Sequence, residues 1–166
     1  MEIKLSLALP RDEFSVPVAR NVLAGSLRLL GVQEDAIHDI ELALTEAVTN
    51  VLDHAVDVDE YEVSAGIDGS VCVIEVIDRG GGFDSSMEAL AAAEPSAESG
   101  RGIQLMRALV DEVTFISKPQ VGTVVHLEKQ LEWEDDSVIK KLTVGRPRTQ
   151  HGPWSEDERS EDVDRD

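Results

Sequence analysis

Three polar side chains recur one helical turn apart in the stretch ELALTEAVTNVLDH, residues 41–54. Glu46, Asn50 and His54 are spaced by four residues, so a helix would align them as one stripe. An amide oxygen can bind a hard cation such as magnesium, and a carboxylate can accept the proton of an attacking hydroxyl or water. The alternative, which this stretch alone favours, is a solvated helix face with a buried and satisfied asparagine. A neighbouring stripe of apolar residues predicts packing into a core: Ile40, Leu44, Ala47, Val48, Val51 and Ala55.

A second group of candidate residues follows a nearly continuous apolar stretch. VCVIEVI, residues 71–77, predicts a central strand that runs directly into Asp78, and Gly80 and Gly82 come next. A carboxylate at the end of a buried strand is costly without a partner, and the exocyclic amine of adenine would be a suitable one. The glycines would let a flat ring approach the backbone closely. Taken alone, the segment is more typical of a tight turn capped by an aspartate.

The third group is Gly100-Arg101-Gly102, which we predict to open a helix. Helix N-termini offer free N–H groups and a favourable dipole to phosphate, and Arg101 could add a charge-assisted contact. The motif lacks the trailing Lys-Ser or Lys-Thr of a phosphate loop, and it does not follow a strand as a dinucleotide fingerprint does. By itself it is weak, because glycine also serves simply to permit a sharp turn.

Composition excludes several classes of function. The 166 residues suffice for one domain, and with 42% hydrophobic but only 4% aromatic residues its core must consist of Val, Leu, Ile and Ala. A net charge of -19 argues against a nucleic-acid backbone or an anionic membrane as the main partner. Cys72 is the only cysteine, which excludes a disulfide framework and a cysteine-based metal site. Without a membrane-spanning run or a signal-peptide pattern, we expect a reducing, cytoplasmic location.

Hydrophobic periodicity predicts the elements that position these motifs. Ser15 is expected to cap the first helix and Gly31 to end it, Asp35 to cap the long helix, and Asp68-Gly69 to close a hairpin. Strands are expected at residues 2–9, 61–67, 71–77, 113–117 and 123–131.

The chain divides into a domain and a tail. Residues 84–99 are small, alanine-rich and polar, so we interpret them as a mobile loop. From about Glu132, acidic clusters and prolines replace the periodicity. We therefore predict one domain at residues 1–131 and an acidic tail at 132–166 that is disordered or loosely docked.

The order of the three motifs is more specific than any one of them. A helix with Glu46 and Asn50, a strand that ends in Asp78-x-Gly-x-Gly, a loop, and Gly100-x-Gly at a helix start resemble the GHKL nucleotide-binding superfamily. Within it, the chain is most similar to the bacterial anti-sigma-factor serine kinases. TEAVTNVLDHA resembles the asparagine-containing box of that family, DRGGGFD its first glycine box and SGRGIQLM its second. The resemblance covers roughly residues 5–131.

This resemblance implies a site for ATP and Mg²⁺. Asn50 would hold a magnesium ion that bridges the phosphates, Glu46 would be the general base on the attacking hydroxyl, and Asp78 would bind the adenine amine. Gly80 and Gly82 would shape the adenine pocket, and Thr123 would contact the adenine. Gly100 and Gly102 would position the phosphates, with Arg101 nearby. Residues 84–99 would form the lid over the nucleotide.

The resemblance also implies a fold and partners. The family fold is α+β, a two-layer α/β sandwich in which a mixed, mainly antiparallel sheet carries helices on one face. The implied activity is that of an anti-sigma factor that sequesters a sigma factor and phosphorylates an anti-anti-sigma antagonist on serine, as a homodimer. Arg20, in the first helix, lies where such proteins contact their partners. The alternatives are a catalytically silent module that binds ATP or ADP and sequesters a protein partner, and a domain that binds no nucleotide.

Overall fold

Five strands and four helices form the described part of the chain. The computed structural model describes residues 2–54, 59–78, 98–118 and 122–144. The strands are β1 (Glu2–Pro10), β2 (Glu60–Asp68), β3 (Val71–Asp78), β4 (Glu112–Lys118) and β5 (Gly122–Gln130). The helices are α1 (Ser15–Leu30), α2 (Glu34–His54), α3 (Glu98–Leu109) and α4 (Val138–Val144). None of the described helices combines the length and apolar composition that crossing a bilayer requires.

The strands form one sheet in the order β1-β2-β3-β5-β4, and every pairing among them is antiparallel. Side chains alternate between the two faces, as the period-2 pattern predicts. Val76 of β3, for example, is paired with Val63 on one side and Val125 on the other, and all three are buried. One face of the sheet is therefore covered, and the other face is open.

The helices α1, α2 and α3 cover that buried face, with α2 in contact with both of its neighbours. Ile40 and Leu44 of α2 are buried in the same core as Ile74 of β3 and Leu127 of β5. The buried face of the long helix is the apolar stripe that its sequence predicts. This two-layer arrangement, with helices on one face of an antiparallel sheet, confirms the predicted α+β fold class.

Several predicted helix boundaries differ from the observed ones. Phe14, not Ser15, occupies the cap position of α1, and the Ser15 hydroxyl bonds the carbonyl oxygen of Asp12 and the hydroxyl of Tyr61. Gly31 ends α1 as predicted, with the positive φ of 85° that favours glycine. The long helix α2 starts at Glu34, so Asp35 lies in its first turn. The helix α3 starts at Glu98, so Gly100 and Gly102 lie inside it and do not open it.

Residues 132–144, the first part of the predicted tail, dock on the domain. Trp133 forms an isolated antiparallel bridge with Val32, and the N–H of Glu134 donates to the carbonyl oxygen of Gly31 over 2.8 Å. Ser137 is buried, and a Cβ atom added at Gly31 would lie 2.5 Å from its Cβ. A single bridge and a close backbone contact do not require apolar residues at regular spacing. The hydrophobic pattern of the sequence therefore does not indicate where this segment docks. Residues 145–166 lie outside the described residues.

Candidate functional site

Glu46, Asn50 and Gly102 come together where α3 crosses α2. The first two lie one turn apart on α2, as their spacing predicts, and Gly102 approaches them from α3. A Cβ atom placed on Gly102 would lie 2.6 Å from Oε2 of Glu46 and 3.8 Å from Oδ1 of Asn50. Only glycine leaves the Glu46 carboxylate in this position, because any larger residue would push it aside. The structure thus brings together residues that are 56 positions apart in the sequence.

The Asn50 amide is buried without a complete set of hydrogen bonds. Asn50 is 9% exposed, and its Nδ2 has no hydrogen-bond partner among the described residues. A buried polar nitrogen without a partner costs roughly 1–3 kcal/mol, so it marks a place where a ligand or water would complete the network. The amide carries both an oxygen acceptor and nitrogen donors, so it can serve a cation, its water shell or a phosphate.

Asp78 and Thr123 form a second pair of candidate residues, at one end of the sheet. They are directly opposite each other in the register of β3 and β5. Both are buried, at 3% and 2% exposure, on the face that the helices cover. A carboxylate can accept hydrogen bonds and a hydroxyl can donate or accept them, so a strand end that carries both has the groups to bind a polar ring.

The remaining predicted site residues belong neither to the group of Glu46, Asn50 and Gly102 nor to the Asp78–Thr123 pair. Gly80 and Gly82 lie outside the described residues, and so does most of the predicted lid. Gly100 lies in the first turn of α3, and the side chain of Arg101 is exposed. Arg20 is half-buried on α1, which belongs to the same helical layer.

Two other reactive side chains lie away from the candidate site. Burial raises the pKa of the Cys72 thiol to about 12, so this cysteine is a buried hydrophobe and not a nucleophile. His126 is on the open face of the sheet, between the carboxylates of Glu75 and Glu128. No group of three or more histidine, cysteine or acidic residues within the described ranges could hold a metal ion.

Sequence reasoning missed Lys129, whose ammonium group connects α2, α3 and β5. Its Nζ lies 2.7 Å from Oδ2 of Asp39 and 2.6 Å from the carbonyl oxygen of Leu109. The signal was the phase of β5, since Thr123, Val125 and Leu127 face the helices and Lys129 is the next residue in that series. A lysine at an inward position of a half-buried strand is unusual enough to indicate a specific partner.

Residues 9–129 match the family described as the histidine kinase-like ATPase domain. An anti-sigma F factor from Thermoanaerobacter sp. strain X514 is 33% identical over 119 residues, which cover 68% of this chain and 83% of that protein. The serine-protein kinase RsbW of Bacillus velezensis is 31% identical over 141 residues, covering 78% of this chain and 87% of that protein.

A solved structure shares the fold. The crystal structure of the RsbU and RsbW domains of Rv1364c from Mycobacterium tuberculosis superposes with a TM-score of 0.61 at 24% sequence identity. The match covers 78% of this chain and 32% of that one. The family match over most of the chain and the identity to these relatives establish that this protein belongs to the histidine kinase-like ATPase family, in its branch of anti-sigma-factor serine kinases.

Proposed function

We propose that this protein is an ATP-dependent serine kinase that also acts as an anti-sigma factor. Its substrate would be a serine of an anti-anti-sigma antagonist protein, and its other partner would be a sigma factor. The observation that carries the proposal is the convergence of Glu46, Asn50 and Gly102 at the crossing of α2 and α3. A carboxylate, an amide and a close glycine backbone are the groups that phosphoryl transfer needs for proton acceptance, metal binding and phosphate approach.

The residues present fit magnesium and a triphosphate. The Nδ2 of Asn50, which has no hydrogen-bond partner among the described residues, indicates an incomplete polar network, and the missing Cβ of Gly102 lets the backbone of α3 approach the Glu46 carboxylate closely. Magnesium usually takes only one or two protein ligands and completes its shell with waters and phosphate oxygens. Asn50 would supply one such ligand through its Oδ1, and a magnesium ion bound there would neutralise charge on the phosphates during transfer.

The purine would lie at the Asp78–Thr123 pair. The Asp78 carboxylate would accept a hydrogen bond from the exocyclic amine, and Thr123 would contact the ring edge. Gly80 and Gly82 would shape the pocket beside it. Gly100, Arg101 and the start of α3 would bind the phosphates, since helix N-termini favour anions.

The chemical step assigns one role to Glu46. Its carboxylate would accept the proton of the substrate serine hydroxyl while the serine oxygen bonds to the γ-phosphorus. The bond between the γ-phosphorus and the β–γ bridging oxygen breaks at the same time, and ADP leaves with that electron pair. Because the serine must reach Glu46, the acceptor protein would dock near the crossing of α2 and α3.

The partners follow from the names that relatives carry. One relative is named an anti-sigma F factor and another a serine-protein kinase, and we extend both activities to this chain. We also propose a cytoplasmic homodimer, in which Arg20 on α1 contributes to partner contacts. The net charge of -19 favours protein partners over direct contact with nucleic acid.

The test combines nucleotide binding with phosphoryl transfer. The protein is titrated with ATP with and without magnesium, and then incubated with γ-labelled ATP and candidate antagonist proteins. We expect magnesium-dependent binding that raises the melting temperature, by a stabilisation of roughly 2–4 kcal/mol at saturating excess, and label on serine of one antagonist. Binding without transfer to any antagonist would instead support the catalytically silent module, and no binding at all would refute both.

A further inference from the structure

Lys129 stands at the point where three elements meet. It extends from the helix-covered side of β5, two positions after the inward-facing Leu127. Its side chain is only 18% exposed, and its Nζ contacts Asp39 of α2 and the terminal carbonyl of α3 at Leu109. A cation suits that place, because the last carbonyl groups of a helix lack intrahelical partners and carry partial negative charge.

The chain that leaves α3 is fastened to β5 by further bonds. The N–H of Asp111 donates to the carbonyl oxygen of Glu128 over 2.9 Å, and Oδ2 of Asp111 accepts the N–H of Gln130 over 2.6 Å. These bonds hold the exit of α3 to the sheet. Lys129 adds a link from that exit to α2, through Asp39.

The Lys129 link and the candidate site are two contacts of the same helix pair. Asp39 precedes Glu46 by seven residues on α2, and Leu109 follows Gly102 by seven residues on α3. Both separations are two helical turns, roughly 10.5 Å. The helices therefore run antiparallel, with Asp39 opposite Leu109 at one contact and Glu46 opposite Gly102 at the other.

We infer that Lys129 is a positioning residue for phosphoryl transfer, because it fixes the register of α3 along α2 at the Asp39–Leu109 contact. A stiff helix transmits that register over two turns to Gly102. There, the approach of the Gly102 backbone determines where the Glu46 carboxylate and the Asn50 amide can lie. The inference rests on the proposed kinase function, and it adds a residue that touches neither nucleotide nor substrate.

The first test measures the rate and the melting temperature of Lys129→Met, Lys129→Arg and Asp39→Asn. Lys129→Met keeps the apolar stem and removes the charge, so the protein should fold, while kcat for transfer should fall roughly tenfold with a nearly unchanged KM for the acceptor protein. Asp39→Asn should reproduce part of this loss. Lys129→Arg, which can bond both partners, should restore most of the rate. Arg28→Met removes ion pairs with Glu34 and Glu41 of α2 that involve neither Lys129 nor α3, and it should leave kcat unchanged.

The second test asks whether the two contacts are coupled. Gly102→Ala forces a Cβ atom against Glu46 when the register is fixed, so it should lower kcat strongly in the wild-type background. With Lys129→Met, α3 can shift and accommodate the methyl group, and the same substitution should cost at least about threefold less. A merely structural role of Lys129 would instead give additive losses.

Two results would overturn this inference. One is an unchanged kcat per folded molecule in Lys129→Met, and the other is strict additivity with Gly102→Ala. Neither result would contradict the proposed function, since the wild-type protein would still transfer phosphate. Failure of the wild-type protein to label any antagonist would instead refute the kinase proposal, and this inference with it.

Discussion

Polar side chains on the two sides of the sheet differ in how completely they are hydrogen-bonded. On the open side, they pair with one another: His126 bonds Glu75 and Glu128 at 3.4 and 2.9 Å, and Ser64 also bonds Glu75. On the covered side, beneath and among the helices, Asn50 has a buried nitrogen without a partner among the described residues. The backbone of Gly102 and the carboxylate of Glu46 are so close there that Gly102 has no room for a side chain.

This difference separates stability from function. The part-buried pairs on the open side satisfy one another's hydrogen bonds and contribute little to the free energy of folding. A buried amide with an incomplete set of hydrogen bonds lowers the free energy of unfolding. Native proteins tolerate such a group mainly where it serves a function. Substitutions on the covered side should therefore affect nucleotide chemistry, and those on the open side should affect only stability.

The largest effect is expected from Glu46→Gln. The substitution keeps the size of the side chain and removes its ability to accept a proton, so kcat for transfer should fall by roughly 10²–10⁴. ATP affinity should change little. Glu41→Gln, the same change five residues earlier on α2, should leave transfer intact and weaken only the contact with Arg28. Transfer rates from labelled ATP measure both variants, and an active Glu46→Gln would exclude this residue as the base.

The sequence predicts the layers of this fold better than the contacts between them. Period-2 alternation locates the strands, and a stripe with period 3.6 locates the buried face of α2, because both patterns are local. The approach of Gly102 to Glu46 depends on how two distant helices pack, which no local pattern encodes. The motif order predicts that these residues share a site, but only packing shows that Gly102 lacks room for a methyl group.

Two local features of the structure are not visible in the sequence pattern. The apolar positions of α3 begin at Ile103, so the hydrophobic pattern does not indicate that the helix starts at Glu98. Similarly, the bonds that dock residues 132–134 on Gly31, Val32 and Gln33 are made by the backbone, which every sequence carries. Elements held by backbone bonds or by one close contact therefore escape pattern analysis.

A second large effect is expected from Asn50→Ala. Loss of the amide should weaken magnesium-dependent ATP binding roughly tenfold to a hundredfold, the range for one hydrogen bond to a charged ligand. Without nucleotide, the melting temperature should stay equal or rise, because a buried group without a partner is removed. Asn21→Ala, on the exposed surface of α1, is the matched control and should leave affinity unchanged. A destabilised Asn50→Ala with normal affinity would indicate a structural asparagine.

Gly102→Ala should separate stability from activity by moving them in opposite directions. Alanine in a helix interior is favoured over glycine by about 1 kcal/mol, and the atom with which the new Cβ would clash belongs to the movable end of Glu46. The free energy of unfolding should therefore rise, while transfer falls roughly tenfold as the carboxylate is displaced. Gly25→Ala is the control, because its Cβ would meet nothing within 4 Å on α1. It should stabilise the protein similarly and leave activity unchanged.

The smallest effect is expected on the open side, from His126→Gln. Partial burial lowers the pKa of His126, but the hydrogen bonds and charges of Glu128 and Glu75 outweigh it, so the net pKa is raised. A raised folded-state pKa means that the protonated ring stabilises the fold below the ordinary value of about 6.5, and that this contribution is lost as the pH rises through the folded-state pKa.

Urea unfolding at about pH 6 and about pH 8 measures this contribution. The wild-type protein should lose slightly more stability between the two pH values than His126→Gln, and the control His38→Gln, at an exposed position of α2, should behave like the wild type. Transfer activity should not change in either variant. An activity loss in His126→Gln would break the division between the two sides of the sheet, because a residue of the open side would then act on the chemistry of the covered one.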